Sequence, residues 1–420
     1  MKKHLKHLYV VSVISVAAVI PTSVYAQVAA PIACADYKRG PTNIPGQKVG
    51  KKVGKALEAY NNDLIDEALD ILYEIDTSNT FDRAFTDRFI GNLLATQNGQ
   101  AKKSIEYLQR AVAPSELNDS EQVGTIKLIA DLSLQEEQYD SAIKYYQDWM
   151  KVTCKEDFDV YFRMANAYYQ TQRFAEIIMP INKAIALAEK PNKTAYALKM
   201  TSYYNRKMYK ETIEVQEETV RIFPDDKGQW TQLGFFYMLV EDHKKALSTF
   251  EMAYNQGFLT KAAEIKALSQ LYSMNDIPVK AAQILDKHIK SGLVDKDERM
   301  LTSVASSYQQ AKEFKEAADF YGQSALLDSD PDLYQKQGMV YYALERYNDA
   351  IVALQKALDG GSDKVGAIHL AMMQANFDKG DFKSAYKHVQ EAKQDRSTAR
   401  NARSWEPYIK EKAKNRNIKL

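Results

Sequence analysis

Glycine and proline are both scarce in this chain, with 17 and 11 residues among 420. Turn-rich β proteins depend on these two residues, so their scarcity favours helices. Net charge is also nearly absent, because 56 basic and 55 acidic residues leave a formal charge of +1. Phosphate binding needs a sustained basic face, and a near-neutral chain therefore argues against nucleic acid as the main partner.

Long apolar runs are absent after the first 26 residues, and what remains has the composition of a folded protein. Hydrophobic residues make up 45% of the chain and charged residues 26%, which excludes a largely disordered chain. Tyrosine is frequent, with 27 residues. The position of those tyrosines bears on function below.

Residues 1–26 have the three parts of an export signal. Three lysines lie among the first six residues, residues 8–20 form an apolar run, and Val24 and Ala26 are small residues before Gln27. The run is shorter than the roughly 18 residues that a membrane span needs. We predict a cleavable signal peptide over 1–26, with retention as a membrane anchor as the alternative.

Only two cysteines occur, Cys34 and Cys154. In an oxidising compartment they are candidates for a disulfide that staples the N-terminal extension to an early repeat. The alternative is two unpaired thiols, one in a loop and one near a helix end. Sequence alone does not show whether their Cα atoms come within bonding distance.

Small side chains recur at intervals of 33 to 38 residues, which is the strongest pattern in the chain. Most of these anchor residues are alanines, and they define about ten repeats over residues 49–398. The anchors are Ala68, Ser104, Ala142, Ile177, Thr212, Ala246, Ala281, Ala317, Ala350 and Ala385. A second small residue precedes most anchors by twelve positions, although Asn92, Met200 and Met373 depart from that rule.

The stretch from Gly228 to Tyr254 carries the most complete unit. It places Trp230, Leu233, Gly234 and Tyr237 ahead of the anchor Ala246, and aromatic and small residues follow at four and seven positions beyond it. This spacing resembles the tetratricopeptide repeat. The resemblance implies an all-α protein, an α-α superhelical solenoid of about ten helix pairs closed by a C-terminal capping helix.

Two segments lie outside the repeats. Residues 27–48 contain three prolines and are predicted to form an extended lead-in. Residues 399–420 are basic and are predicted to form a capping helix that covers the last apolar face. A basic docking tail for a membrane surface or an acidic partner is the alternative for the second segment.

No catalytic constellation is evident. His243, His288, His369 and His388 are far apart in sequence, and none belongs to a His-Glu-x-x-His pair. The chain also lacks a Gly-x-Ser-x-Gly elbow and a Gly-x4-Gly-Lys phosphate loop. We therefore predict no catalytic residues, no metal, no cofactor and no enzymatic activity.

In tetratricopeptide arrays the first helix of each pair lines a concave groove that holds peptides or helices. Tyrosine doublets fall there at 168–169, 203–204 and 341–342; the first member is expected in the core and the second in the groove. The predicted partner-binding residues are Asn166, Tyr169, Tyr204, Phe235, Met238, Met339 and Tyr342. The alternative is that these residues merely pack between neighbouring first helices.

The stretches CADYKRGPTNIPGQKVGKKVGKALEAYNNDLIDEALDILYEID and FDRAFTDRFIGNLLA resemble periplasmic repeat proteins that accompany TonB–ExbB–ExbD clusters in proteobacteria. The resemblance implies a periplasmic scaffold for protein–protein interaction in outer-membrane nutrient uptake, with transducer subunits or outer-membrane proteins as partners. Two alternatives are an adaptor in envelope or outer-membrane biogenesis, and a groove that binds a glycan or small molecule.

Overall fold

The computed structural model describes residue 34 and residues 42–420, and its contacts divide the chain into two units, Met1–Met208 and Tyr209–Leu420. The described residues form 21 α-helices, one short 3-10 turn and no strand, so the all-α prediction is confirmed. No helix in these ranges combines the length and the apolar character that crossing a bilayer requires. The predicted signal peptide lies outside the described residues.

Unit 1 consists of antiparallel helix pairs stacked in chain order. Each helix packs against the next, and the first helix of one pair also touches the first helix of the following pair where α7 meets α9. Its helices are α1 Gln47–Asn61, α2 Ile65–Tyr73, α3 Thr80–Ala95, α4 Ala101–Val112, α5 Asp119–Gln135, α6 Tyr139–Thr153, α7 Phe158–Gln170, α8 Ile178–Leu187 and α9 Lys193–Asn205, and a 3-10 turn, Phe174–Ile177, leads into α8.

Unit 2 repeats the same arrangement and ends with a single long helix. Its helices are α10 Tyr209–Ile222, α11 Lys227–Leu239, α12 His243–Asn255, α13 Ala262–Met274, α14 Pro278–Lys290, α15 Glu298–Gln310, α16 Phe314–Asp328, α17 Pro331–Ala343, α18 Tyr347–Asp359, α19 Val365–Lys379, α20 Phe382–Ala392 and α21 Ala399–Asn415. Pro278 and Pro331 occupy first turns, where the missing N–H costs nothing.

The anchor residues lie where the two helices of a pair cross. All ten are 0% exposed, including Ile177 and Thr212, which are not small. At Gly234, an added Cβ would lie 2.4 Å from a ring carbon of Phe250, so the partner helix leaves no room for a side chain. The predicted repeat phase is therefore confirmed by the packing.

The second pair departs from the predicted spacing. The spacing of twelve residues before the anchor Ser104 predicts that Asn92 lies at the crossing. In the structure the crossing residue is Gly91. An added Cβ on Gly91 would lie 2.5 Å from Leu108 Cδ2, and Ser104 Oγ donates a hydrogen bond of 2.7 Å to the Gly91 carbonyl oxygen. The cause is the turn at residues 96–100, which has five residues where the turns within the other pairs of unit 1 have three.

Each of the nine pairs in the described residues that lie within one unit turns through one residue with a left-handed backbone. Most of these residues are not glycine, and they are Asp63, Gly99, Glu137, Gln172, Glu241, Asp276, Lys312, Glu345 and Gly380. The non-glycine φ values lie between 57° and 62°, a conformation that costs an L-residue roughly 1–2 kcal/mol. In the pairs that turn through a non-glycine residue, the tight three-residue turn is thus maintained against local preference by the packing of the two helices.

Helix α21 covers the last pair. The buried side of α21 packs in one hydrophobic cluster with Val389 of α20. Its buried residues there are Ala402, Ile409 and Ala413. Pro407 lies inside α21 on its exposed side. The terminal apolar face of unit 2 is therefore closed, as solenoid arrays require.

The described part of the lead-in is tied to the body of unit 1. Cys34 and Cys154 form a disulfide with Cα atoms 5.0 Å apart. Asn43 and Asn118 exchange two hydrogen bonds of 2.7 and 3.0 Å between backbone and side chain. Residues 42–46 are extended and cross from the start of α1 to α3 and α5.

Candidate protein-binding faces

The seven residues predicted for partner binding all lie on first helices, but they belong to separate groups. Asn166 and Tyr169 lie on α7 and Tyr204 on α9, all in unit 1. The other four lie in unit 2, on α11 and on α17, which α13 and α15 separate along the chain. We describe them as three faces, one for each neighbouring set of helices.

The face in unit 1 combines an amide and two tyrosines on adjacent helices, α7 and α9. Asn166, Tyr169 and Tyr204 are all half-buried, so part of each side chain reaches solvent. The Tyr169 ring centroid lies 6.3 Å from that of Phe174, which packs beside it from the 3-10 turn that leads into α8. Such supported rings lose little conformational entropy on binding.

The face on α11 packs against the second helix of its own pair. The Phe235 ring meets Phe250 edge to face, with centroids 5.2 Å apart, and Phe235 and Met238 both pack against the core of unit 2. Both residues are half-buried. For these two residues the structure shows both packing between helices and partial access to solvent.

The face on α17 is more open. Met339 is 43% exposed. Tyr342 donates a hydrogen bond of 2.6 Å to Asp378 Oδ2 at the end of α19, so its hydroxyl ties two successive pairs together. Burial, and then the hydrogen bond to this carboxylate, raise the pKa of the Tyr342 phenol to about 12. The ring of Tyr342 remains available, and its hydroxyl is already engaged.

The first members of the tyrosine doublets do not all lie in the core. Tyr168 is buried as predicted, whereas Tyr203 and Tyr341 are half-buried. An arginine guanidinium lies over Tyr341, with Arg346 4.7 Å from the ring centroid. The expectation of a core position is wrong for these two residues. Arg206 lies over Tyr203, but Arg173 lies over the buried Tyr168 as well, so the arginine does not explain the difference.

The pair of helices α17 and α18 matches a known repeat family. The family description "Tetratricopeptide repeat" matches residues 331–359, which begin at the first residue of α17 and end at the last residue of α18. This helix pair is therefore similar to a tetratricopeptide repeat. The other pairs share with it the buried anchor and the left-handed turn residue.

Several solved structures are similar to the chain. MamA from Desulfovibrio magneticus RS-1 is 17% identical, with a TM-score of 0.32 over 42% of this chain and 96% of its own. YrrB, whose structure is described as "a TPR protein with an unusual peptide-binding site", is 17% identical, with a TM-score of 0.35 over 48% and 97%. The Naa15/Naa10 complex bound to HypK reaches a TM-score of 0.45 at 12% identity over 87% and 68%. No curated protein matches the chain significantly.

One aromatic residue on a first helix was not among the residues predicted for partner binding. Phe377 occupies the same repeat position on α19 that Tyr342 occupies on α17, a signal that was present in the spacing. Its ring lies 5.5 Å from Trp405 and 5.1 Å from Tyr408, both on α21. Tyr408 is 44% exposed, so α17, α19 and α21 together present an aromatic face at the end of unit 2.

Other tyrosines join successive repeats through hydrogen bonds to a glutamate that also lies near a lysine. Tyr272 on α13 donates 2.7 Å to Glu251 Oε1 on α12, and Lys280 Nζ on α14 lies 3.1 Å from the same oxygen. Tyr237 and Glu217 make the equivalent bond one repeat earlier. Burial, followed by this hydrogen bond, raises the pKa of the Tyr272 phenol. These tyrosines therefore act within the protein and do not contribute a free hydroxyl to a partner.

We expect Tyr272→Phe to lower the free energy of unfolding by about 1 kcal/mol, because it removes one hydrogen bond to a half-exposed carboxylate. Urea denaturation followed by circular dichroism measures the change. Tyr334→Phe is the control, since the Tyr334 hydroxyl makes no hydrogen bond within residues 42–420 and its ring packs against the same core. Equal losses in the two variants would contradict the assigned role of Glu251.

The side chains of these faces can bind a partner through non-covalent contacts. They offer aromatic rings, thioethers and an amide, which suit an apolar or aromatic segment of another protein. Within residue 34 and residues 42–420, no group of three or more histidine, cysteine, aspartate or glutamate side chains is arranged to hold a metal ion.

Proposed function

We propose that this protein is a non-enzymatic periplasmic scaffold that binds other proteins and serves TonB-type energy transduction in outer-membrane nutrient uptake. The observation that carries the proposal is the set of half-exposed aromatic and methionine side chains on first helices, above all Tyr169, Met339 and Tyr342. A rigid helical scaffold holds these side chains in place, which lowers the entropic cost of binding.

The choice of TonB partners rests on the resemblance of the N-terminal stretches, and the structure gives those stretches a role. Asp82, in the FDRAF sequence, is 7% exposed and accepts a hydrogen bond of 2.8 Å from the Gly46 backbone N–H in the lead-in. The two similar stretches thus contact each other at the start of unit 1. In this chain the contact docks the lead-in, and we assign partner recognition to the faces beyond it.

The test uses the purified periplasmic domains of TonB and ExbD from the same organism as probes. We expect one of them to bind the full chain saturably in biolayer interferometry. Tyr169→Ala with Tyr204→Ala, or Met339→Ala with Tyr342→Ala, is expected to weaken binding at least tenfold, because truncating aromatic contact residues commonly costs more than about 1.4 kcal/mol. Circular dichroism should show unchanged helicity.

Matched controls are available on the second helices. Met179 on α8 and Val352 on α18 are 57% and 56% exposed, and both are apolar residues outside the proposed faces. Met179→Ala with Val352→Ala is expected to leave the affinity unchanged. Binding that these controls abolish, while the tyrosine variants bind normally, would overturn the assignment of the faces. Failure of both probes to bind would overturn the TonB partnership.

A further inference from the structure

Two histidines that are 19 residues apart in sequence meet in the last helix pair. His369 lies on α19 and His388 on α20, with their Nδ1 atoms 3.1 Å apart and their ring centroids 5.3 Å apart. Both side chains are half-buried, so the pair is reachable from solvent. No other two histidines of residues 42–420 are recorded in contact.

The pair occupies positions that are apolar in the earlier pairs α13/α14 and α15/α16, and that hold Tyr334 and Ala353 in the adjacent pair α17/α18. His369 precedes its anchor, Ala385, by sixteen residues, and His388 follows that anchor by three. The equivalent residues are Ile265 and Ile284 in one earlier pair and Leu301 and Phe320 in the next. Packing at this crossing therefore does not require polar groups, and the histidines need another explanation.

The surroundings keep the imidazoles neutral. Burial, then the neighbouring His369 and Lys387, lower the pKa of His388 to about 4. Burial also lowers the pKa of His369. Glu391, one helical turn after His388 and half-buried, acts in the opposite sense on both rings. At neutral pH both rings are therefore uncharged, which is the form that binds metals.

We propose that His369 and His388 chelate one late first-row divalent cation, for which Zn²⁺ is the probe. Tetrahedral zinc with two nitrogen ligands at 2.0–2.1 Å places those nitrogens about 3.3 Å apart, close to the Nδ1 separation in this pair. Imidazole is a ligand that zinc, copper and nickel all accept. Because no third protein ligand is arranged around the pair in residues 42–420, water completes the coordination.

The ligand atoms and proton positions follow from this geometry. Without metal, one Nδ1–H donates to the other Nδ1 across the 3.1 Å contact. Binding of the cation requires both protons at Nε2, so one imidazole changes tautomer through solvent and no net proton is released near neutral pH. The half-exposed rings provide the entry path that this exchange needs.

The experiment compares the full untagged chain with the double variant His369→Leu and His388→Phe after dialysis against a chelator. Leucine and phenylalanine are the residues at the same two positions in the pair α15/α16, so the variant is expected to fold. Isothermal titration with ZnCl₂ is expected to show one more equivalent bound by the wild type than by the variant. Each single variant should lose at least tenfold in affinity.

The other histidines cancel in this comparison because every protein tested contains His4, His7, His243 and His288. Equal zinc binding by wild type and double variant overturns the proposal, as does the lack of any saturable binding up to millimolar ZnCl₂. Should the variant unfold, long-range ¹H–¹⁵N spectra of the wild type decide. Zinc must shift the Nδ1 resonances of both histidines, and unmoved resonances show that the pair is a hydrogen bond only.

Discussion

Replacing Ala246 with tryptophan is expected to lower the free energy of unfolding by about 3 kcal/mol or more, the upper range for overpacking a core. Ala246 is 0% exposed where α11 crosses α12. The crossing is already close, since even a Cβ on Gly234 would lie 2.4 Å from Phe250. Relief of the clash requires the two helices to separate, which also disturbs the neighbouring pair. Urea denaturation and thermal melting measure the loss.

Ser248→Trp is the matched control for this prediction, because Ser248 is exposed on the same helix, two residues along. A surface substitution of this kind is expected to change stability by no more than about 0.5 kcal/mol. If Ala246→Trp melts with the wild type while both proteins stay helical, the anchor residues do not lie at the crossings. The repeat phase on which the faces depend would then be wrong.

The helix pairs could be predicted from sequence because their packing depends on one side chain in about 35. Most crossings require a small residue for close packing, with Ile177 and Thr212 as exceptions, so Ala68 and Ala385 mark their crossings equally well. The positions of Tyr169 and Met339 on first helices follow from the same phase. Their partial exposure does too, because they lie beside the buried anchor contacts.

Other features depend on local detail that a periodic pattern averages out. Two additional residues in the turn at 96–100 move the crossing from Asn92 to Gly91. The hydrogen bond from Tyr342 to Asp378 joins residues of two repeats, and no recurring pattern in the sequence indicates it. The contact of His369 with His388 was hidden for a similar reason, since the two histidines occupy different repeat positions and each looks isolated.

The disulfide between Cys34 and Cys154 is the second feature with a large expected effect. It closes a loop with a sequence separation of 120 that spans α1 to α6, the first three helix pairs. A native disulfide of this kind stabilises by about 2–4 kcal/mol, mainly because it restricts the unfolded chain. We expect reduction with dithiothreitol to lower the melting temperature and to speed amide hydrogen exchange in α1–α6.

The double variant Cys34→Ser and Cys154→Ser separates loss of the cross-link from other effects of the reductant. It should show the lower stability without dithiothreitol, and dithiothreitol should then change nothing. Cys154 has a left-handed backbone at the end of α6, and Cys154→Ser leaves that backbone strain in place, so the double variant measures the loss of the cross-link. Reduced and oxidised proteins that melt together would show that the lead-in is retained by its hydrogen bonds at Asn118 and Asp82, and that the cross-link adds no stability.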